Sequence, residues 1–196
     1  CDLRVHPGLT TVWPQFSEIR TISGPIYTPL RKTINVLEPS QGKKNLEIVV
    51  VGGGADANDF VLAIATVLLE IKTNFNANLF VRDGKNLEID LDERFSINPI
   101  GKSLDEIANK EDLVFTTAST TSLEFLARGT SVAIGCSVNN QELYYKELTN
   151  GNYAAPIGEF LDDTWNLDIN MIHDLVCSES LRARLKANSA NLIDLD

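Results

Sequence analysis

The stretch at residues 112–141, DLVFTTASTTSLEFLARGTSVAIGCSVNNQ, constrains the fold of the chain most strongly. It begins with an apolar run at residues 113–115 that is typical of a buried strand. A loop of small polar residues follows, and then a helical pattern that Gly129 ends. A second apolar run at residues 131–136 predicts the next strand. Two short strands joined by one helix predict a right-handed βαβ unit with parallel strands.

The loop that follows the first of these strands carries the residue types of an anion site. In parallel sheets ligands bind beyond the carboxyl ends of the strands, where this loop and residues 137–141 would lie together. Small side chains let backbone N–H groups at a helix start approach a phosphate, and Glu124, about one turn later, suits a ribose diol. The loop residues concerned are Ala118, Ser119, Thr120 and Thr121. A capping box from Thr121 to Glu124 explains the same residues without a ligand, so both interpretations stay open.

The order of these motifs resembles a known family. The chain has Thr117-Ala118-Ser119-Thr120, then Glu124, a short strand at residues 132–136 and the pair Asn140-Gln141. This resembles the C-terminal half of nucleotide-sugar enzymes of GT-B architecture, above all the UDP-sugar hydrolase of the pseudaminic acid pathway and the spore-coat-polysaccharide proteins. The resemblance implies that loop N–H groups hold a diphosphate, that Glu124 holds the ribose of uridine, and that Asn140 and Gln141 lie near the sugar or diphosphate.

A glycine-rich turn follows the predicted first core strand at residues 46–51. It reads GGGADAND from residue 52 and matches neither a Walker A loop nor the G-x-G-x-x-G fingerprint. The family has Gly-Gly-Ser-Asp here, which aligns with Gly53, Gly54, Ala55 and Asp56, so Ala55 stands where the family often has a hydroxyl. Gly53 and Gly54 are therefore candidate nucleotide-sugar contacts. A tight turn with Asn58 or Asp59 as helix N-cap is the alternative.

Composition limits the class of ligand. The chain has 196 residues and a net charge of -10, which argues against nucleic acid and acidic membrane surfaces. No apolar run approaches the ~20 residues of a membrane span. The three cysteines lack metal-ligand spacing, and we expect Cys136 and Cys177 to be core residues. We predict no metal and no cofactor, and an odd number of cysteines without a disulfide framework suits the cytoplasm.

The remaining patterns predict a three-layer Rossmann-like α/β domain with a mostly parallel sheet, which the resemblance makes the C-terminal half of a GT-B fold. We expect residues 1–35 to be an interdomain linker and the end of a missing N-terminal domain, because prolines interrupt them and residues 24–31 resemble the segment that precedes this domain in the family. Residues 36–196 would form the nucleotide-sugar-binding domain. The patterns predict helices at about 59–72, 103–109, 142–150, 167–176 and 178–193, strands at 79–81, 95–100 and 153–158, an acidic edge strand at 86–94, and a loop at 74–78.

No residue of the chain can be identified as catalytic from the sequence. It has two histidines, His6 in the predicted linker and His173 on a helical pattern, and neither belongs to a nucleophile arrangement. The resemblance places the general base in the missing domain, so this chain is expected to bind a UDP-sugar without turning it over. The whole protein would be a hydrolase or glycosyltransferase for a bacterial surface glycan of the nonulosonic acid type. Alternatives are a non-catalytic appendage of a sugar-activating cytidylyltransferase and a structural dimerisation domain.

Overall fold

A seven-stranded sheet dominates the computed structural model of the chain. The structure describes residues 3–6, 20–24, 27–30, 34, 45–54, 56, 58–82, 87–101, 112–190 and 192–193. The sheet has the strand order β5-β4-β3-β6-β7-β8-β9, and every pairing is parallel except the last, in which β8 and β9 run antiparallel. The predicted α/β class with a mostly parallel sheet is confirmed.

The sheet strands are β3 (Leu46–Val51), β4 (Phe75–Val81), β5 (Phe95–Pro99), β6 (Leu113–Thr117), β7 (Ser131–Cys136), β8 (Ala155–Leu161) and β9 (Thr164–Leu167). The helices are α1 (Phe60–Glu70), α2 (Thr120–Ala127), α3 (Glu142–Asn150), α4 (Ile169–Cys177) and α5 (Glu179–Ser189), and a 3-10 turn covers Asn139–Gln141. Two further strands, β1 (Leu3–His6) and β2 (Arg20–Ser23), form a separate parallel pair.

The core lies on both faces of this sheet, which makes the predicted three layers. On one face, side chains of α1, α4 and α5 pack against alternate residues of the central strands, among them Phe115. On the other face, α2 and α3 cover the intervening residues, among them Val114. Because both faces are covered, β6 and β7 are buried throughout, which is why their sequences are continuously apolar or small.

The βαβ unit predicted at residues 112–141 forms as expected. β6, α2 and β7 follow one another, and Gly129 after the helix has a φ of 77°, the left-handed conformation that ends helices and favours glycine. The first core strand and α3 also match the predicted bounds closely. The strand expected at residues 95–100 is β5.

Three expectations were wrong. The loop predicted at 74–78 belongs to β4, because Phe75 and Ala77 alternate inward and are buried. The acidic edge strand is not formed in its described part, residues 87–94, which consist of bends and turns before β5. The helix predicted from residue 167 starts at Ile169, since residues 164–167 form β9 instead.

Other predictions have mixed outcomes. Cys136 is buried as expected, whereas Cys177 is exposed because it lies on the solvent side of α4. The predicted helix at 103–109 lies outside the described residues, as do most of the predicted linker and Ala55. The division into a linker and a binding domain remains a prediction.

Candidate functional site

Three loops meet at one rim of the sheet, where the adjacent parallel strands β3, β6 and β7 end. The first is the glycine-rich loop after β3, the second joins β6 to α2, and the third runs from Ser137 to Gln141. Parallel register makes this convergence inevitable, because the carboxyl ends of neighbouring strands share an edge. This rim is the place where open α/β sheets bind ligands.

Gly53 brings the first two loops into contact. Its φ is 78°, and a Cβ placed on it would lie 3.4 Å from Thr117 Oγ1 and 3.9 Å from Ser119 Oγ. The glycine therefore permits the left-handed backbone, and the two hydroxyls lie at ordinary packing distance from it. Gly54, by contrast, is exposed, and a Cβ there would meet nothing within 4 Å.

The start of α2 has the open backbone donors of an anion site. Ser119 is its N-cap residue in an extended conformation, but makes no side-chain cap hydrogen bond. The N–H of Ala118 donates to Gly135 O at 2.9 Å, so it belongs to the sheet. The N–H groups of Thr120 and Thr121 lie in the first helical turn, where helices provide no backbone acceptor of their own. The capping box considered for Thr121 does not form, because the N-cap of α2 is Ser119, two residues earlier.

Helix α1 presents a contrasting start. The buried carboxylate of Asp56 accepts a hydrogen bond from Val61 N at 3.3 Å, and a Cβ on Gly52 would collide with this carboxylate. Asp59 occupies the N-cap position without a side-chain cap bond, and Asn58 turns elsewhere. The protein thus supplies its own negative charge at the α1 N-terminus, which disfavours a second anion there.

Glu124 lies on α2 with 7% of its surface exposed. Side chains on a helix lean toward its N-terminus, so this carboxylate leans toward the rim. Its neighbour Phe125 has the guanidinium carbon of Arg128, the C-cap residue of α2, 5.8 Å from its ring centroid. The burial of Glu124 means that its substitution must be accompanied by a check of folding.

Hydrogen bonds join the third loop to the first two. Ser137 N donates to Gln141 Oε1 at 2.9 Å, and Gln141 Nε2 lies 3.5 Å from Thr117 Oγ1. The Asn58 amide donates to both Ser137 O at 2.8 Å and Ser137 Oγ at 3.0 Å. We call this set of contacts, which includes the approach of Gly53 to Thr117, the rim network. In this network the Gln141 side chain is already hydrogen-bonded within the protein, whereas the neighbouring Asn140 is exposed.

The predicted site residues therefore fall into two groups. The structure brings Gly53, Ser119 and Gln141 together around Thr117. The others lie on the same loops and on α2: Gly54, Ala118, Thr120, Thr121, Glu124 and Asn140.

Cys136, at the end of β7, is not a nucleophile in this setting. Burial raises the pKa of its thiol, and the carboxylates of Glu159 and Glu142 raise it further. The thiol therefore stays protonated at neutral pH, and only a thiolate would attack a substrate.

A second concavity of about 470 Å³ lies between α1 and the β8–β9 hairpin. Its lining includes Trp165 and Phe160, but also the carboxylates of Asp59 and Asp163. Both carboxylates would repel a diphosphate, so this cavity does not compete with the rim as an anion site.

The described residues contain neither a cluster of metal-ligating side chains nor a membrane-spanning helix. Within those ranges, no three His, Cys, Asp or Glu side chains cluster in a way that could hold a metal ion. Within them, too, no helix has the length and apolarity needed to cross a bilayer.

The sequence interpretation missed Asn58, Ser137 and Trp165. Asn58 was considered only as a helix cap. Ser137 is the first residue after β7, a position that the topology rule for parallel sheets already marks. Trp165, which is half-buried, donates its indole N–H to Asn58 O at 2.7 Å. This partner lies 107 residues away and cannot be identified from the sequence.

The fold is that of solved glycosyltransferases. MurG from Acinetobacter baumannii superimposes with a TM-score of 0.69 at 15% identity, over 95% of this chain and 61% of that one. UGT89C1 of Arabidopsis thaliana, solved with UDP-L-rhamnose, gives 0.66 at 15%, over 94% and 49%. The spinosyn rhamnosyltransferase SpnG, solved with thymidine diphosphate, gives 0.66 at 13%, over 93% and 48%.

Sequence comparison adds no closer relative. No protein-family model matches the chain, and no curated protein matches it. The chain spans about half the length of the solved structures that it resembles, which are 46% covered in the case of the kitacinnamycin glycosyltransferase. The chain therefore has the α/β Rossmann-like fold of the C-terminal domain of GT-B glycosyltransferases.

Proposed function

We propose that this chain is the nucleotide-diphosphate-sugar-binding domain of a sugar-nucleotide hydrolase or glycosyltransferase. The observation that carries the proposal is the start of α2. It has no side-chain cap at Ser119, and it lies at the rim where the Gly53 loop and the Ser137–Gln141 loop converge. A helix N-terminus with open N–H groups among small side chains suits a diphosphate.

Each candidate residue has a distinct role in this proposal. The N–H groups of Thr120 and Thr121 bind the diphosphate, with the small Ala118 and the Ser119 hydroxyl leaving it room. Stabilising the departing diphosphate in this way is an electrostatic contribution to catalysis. The Gly53 and Gly54 backbone lies against the same anion from the β3 side.

Glu124 and the Asn140-Gln141 pair would bind the remaining parts of the ligand. A carboxylate can accept hydrogen bonds from both hydroxyls of a ribose, which is the role we propose for Glu124. The exposed Asn140 is the member of the pair that can reach the sugar, since Gln141 Oε1 already accepts from Ser137 N. Gln141 would position the loop.

Uridine is the base that we propose, and the UDP-L-rhamnose complex of UGT89C1 supports a uridine nucleotide in this fold. SpnG was solved with thymidine diphosphate, so the affinity of this chain for thymidine diphosphate should be compared with its affinity for UDP. Following the resemblance to the pseudaminic acid hydrolase, we place the whole protein in the cytoplasmic synthesis of a bacterial surface glycan of the nonulosonic acid type. The missing N-terminal half would supply the general base.

Calorimetric titration with UDP, 2′-deoxy-UDP and CMP tests the proposal. The parent chain should bind UDP more tightly than CMP, because only UDP carries a diphosphate. It should bind 2′-deoxy-UDP about tenfold more weakly than UDP, as expected for one lost hydrogen bond to a charged group. Glu124→Gln should weaken UDP binding and reduce this discrimination.

The matched control is Glu70→Gln, an exposed glutamate at the far end of α1. It should leave all three affinities unchanged, and circular dichroism should show that both variants fold. A folded parent chain that binds no UDP would contradict the proposal for this chain and favour the alternative, a docking appendage of a cytidylyltransferase. Preference for CMP would favour that alternative as well.

A further inference from the structure

Asn58 is the residue at which three separate parts of the fold meet. Its amide nitrogen donates to the backbone oxygen and to the hydroxyl of Ser137, at 2.8 and 3.0 Å. Its own backbone oxygen accepts from the indole of Trp165 at 2.7 Å. One side chain and one carbonyl thus join the glycine-rich loop after β3, the loop after β7, and the β8–β9 hairpin.

These bonds close the rim network. From Ser137 the contacts continue through Gln141 to Thr117, whose hydroxyl lies against Gly53, and so return to the loop that carries Asn58. The links from Asn58 through Ser137 and Gln141 to Thr117 are hydrogen bonds, and the last link, from Thr117 to Gly53, is a packing contact. Connected contacts fix the loops relative to one another more firmly than separate ones would. Removing the Asn58 amide removes both of its hydrogen bonds to Ser137.

We infer that Asn58 is a positioning residue. It holds the Ser137–Gln141 loop against the glycine-rich loop, and Trp165 on β9 holds Asn58 in turn. The inference deepens the proposed function, on which its consequence for the ligand rests. If the rim binds a diphosphate sugar, Asn58 lowers the cost of ordering that rim without touching the ligand, since preorganised loops bind more tightly.

The backbone around Asn58 supports this assignment. Asp56 and Asp59 both have positive φ, 44° and 51°, an uncommon conformation for residues other than glycine. Such a conformation persists where surrounding contacts determine it. The buried Asp56 carboxylate on Val61 N and the Asn58 bonds are those contacts.

Asn58→Asp is the decisive substitution, because it keeps the shape and replaces the donor by an acceptor that faces Ser137 O. Asn58→Ala deletes the group and guards against an effect of the new charge. The control is Asn188→Asp, since the Asn188 amide also donates to a distant backbone oxygen, that of Asn152 at 3.1 Å, at the opposite end of the sheet.

Hydrogen exchange of the chain without nucleotide is the first measurement. The amides of Ser137 and Gln141, which donate to Gln141 Oε1 and Val138 O, should exchange about tenfold faster in both Asn58 variants, as one lost hydrogen bond predicts. Asn188→Asp should leave them unchanged. Unchanged exchange in the Asn58 variants would overturn the inference, whether or not the chain binds UDP.

Calorimetry with UDP is the second measurement. Both Asn58 variants should bind UDP about tenfold more weakly at a temperature well below unfolding, while Asn188→Asp binds as the parent does. Faster exchange with unchanged affinity would reduce Asn58 to a structural role and overturn the positioning of the ligand site. A parent chain that binds no UDP would contradict the proposed function. The hydrogen-exchange result would then still test whether Asn58 holds the Ser137–Gln141 loop in place.

Discussion

The indole Nε1 of Trp165 donates to the backbone oxygen of Asn58 at 2.7 Å, across 107 residues of sequence. The ring also packs edge-on against Phe60 at 5.0 Å and Phe160 at 5.6 Å between centroids. The antiparallel edge of the sheet is therefore tied to the start of α1 by one polar contact and one aromatic contact, whereas the Phe160 contact lies within the hairpin itself. This arrangement makes Trp165 the anchor of the β8–β9 hairpin.

We expect Trp165→Phe to lower the free energy of unfolding by about 1–3 kcal/mol, because it removes the indole donor and leaves a small void while keeping an aromatic ring. Denaturant titration measures the change. Phe160→Leu, which removes an aromatic contact but no hydrogen bond, is the comparison and should not accelerate amide exchange at Ser137. A Trp165→Phe variant as stable as the parent would contradict this account of the hairpin.

The two neighbouring glycines of the β3 loop should respond differently to the same substitution. Gly53→Ala should cost at least about 1 kcal/mol, because its φ of 78° is unfavourable for alanine. Gly54→Ala should be tolerated within about 0.5 kcal/mol, since the site is open. Thermal or denaturant unfolding of both variants is the test. Equal losses would show that the loop differs from the one described.

Thr116 carries a buried hydroxyl that has no hydrogen-bond partner among the residues that the structure describes. Thr116→Val keeps the branched shape and should stabilise the fold by about 1 kcal/mol, because an unsatisfied buried hydroxyl is costly. The control is Ser131→Ala on the next strand, which removes a bond to Arg182 O at 2.8 Å and should destabilise. Denaturant unfolding of both variants measures these changes. A destabilised Thr116→Val variant would contradict the prediction, because it would show that the hydroxyl makes a stabilising interaction.

Asp92 should contribute to acid sensitivity. The hydrogen bonds of the Arg94 guanidinium hold the pKa of this carboxyl below its ordinary value of 3.8. A lowered folded-state pKa gives stability that is present above the unfolded value and is lost as the pH falls through the folded value. Asp92→Asn should therefore be less stable than the parent near neutral pH, with a gap that closes below pH 3.8. The gap should be small, because Asp92 is largely exposed.

Unfolding curves across this pH range provide the measurement. A difference between the parent and Asp92→Asn that does not change with pH would contradict the assignment to Asp92. Arg94 also donates to Ile71 O at 2.6 Å and Leu69 O at 3.1 Å, so its own loss would mix several effects.

The parts of the fold that were predictable are those with local signals. β3, β6 and β7 have apolar runs that end in small polar loops, and parallel topology then brings those loops together. β9 escaped prediction because residues 164–167 are few and none of them is fully buried, so they form no apolar run. The amino half of β4 escaped because Asn76 and Asn78 resemble loop residues, although Phe75 and Ala77 between them face the core.

The candidate site shows the same division. Residues near the ends of strands, such as Gly53 and Ser119, follow from position. The role of Asn58 could not be predicted from its position, because it depends on which side chain accepts a hydrogen bond from the first turn of α1. The Asp56 carboxylate accepts from Val61 N, five positions further along the chain, and the Asn58 amide binds Ser137 instead.

The order in which the sheet assembles follows from its pairings. β8 and β9 are joined by Asp162 and Asp163, both with positive φ, so this hairpin closes over two residues. β3 and β6 pair across a much longer span, since Glu47 N donates to Asp112 Oδ2 from 65 positions away. Loop closure over that distance costs more entropy and is slower. During refolding the hairpin will form early, and the rim where β3, β6 and β7 end will be completed only with the late, long-range strands.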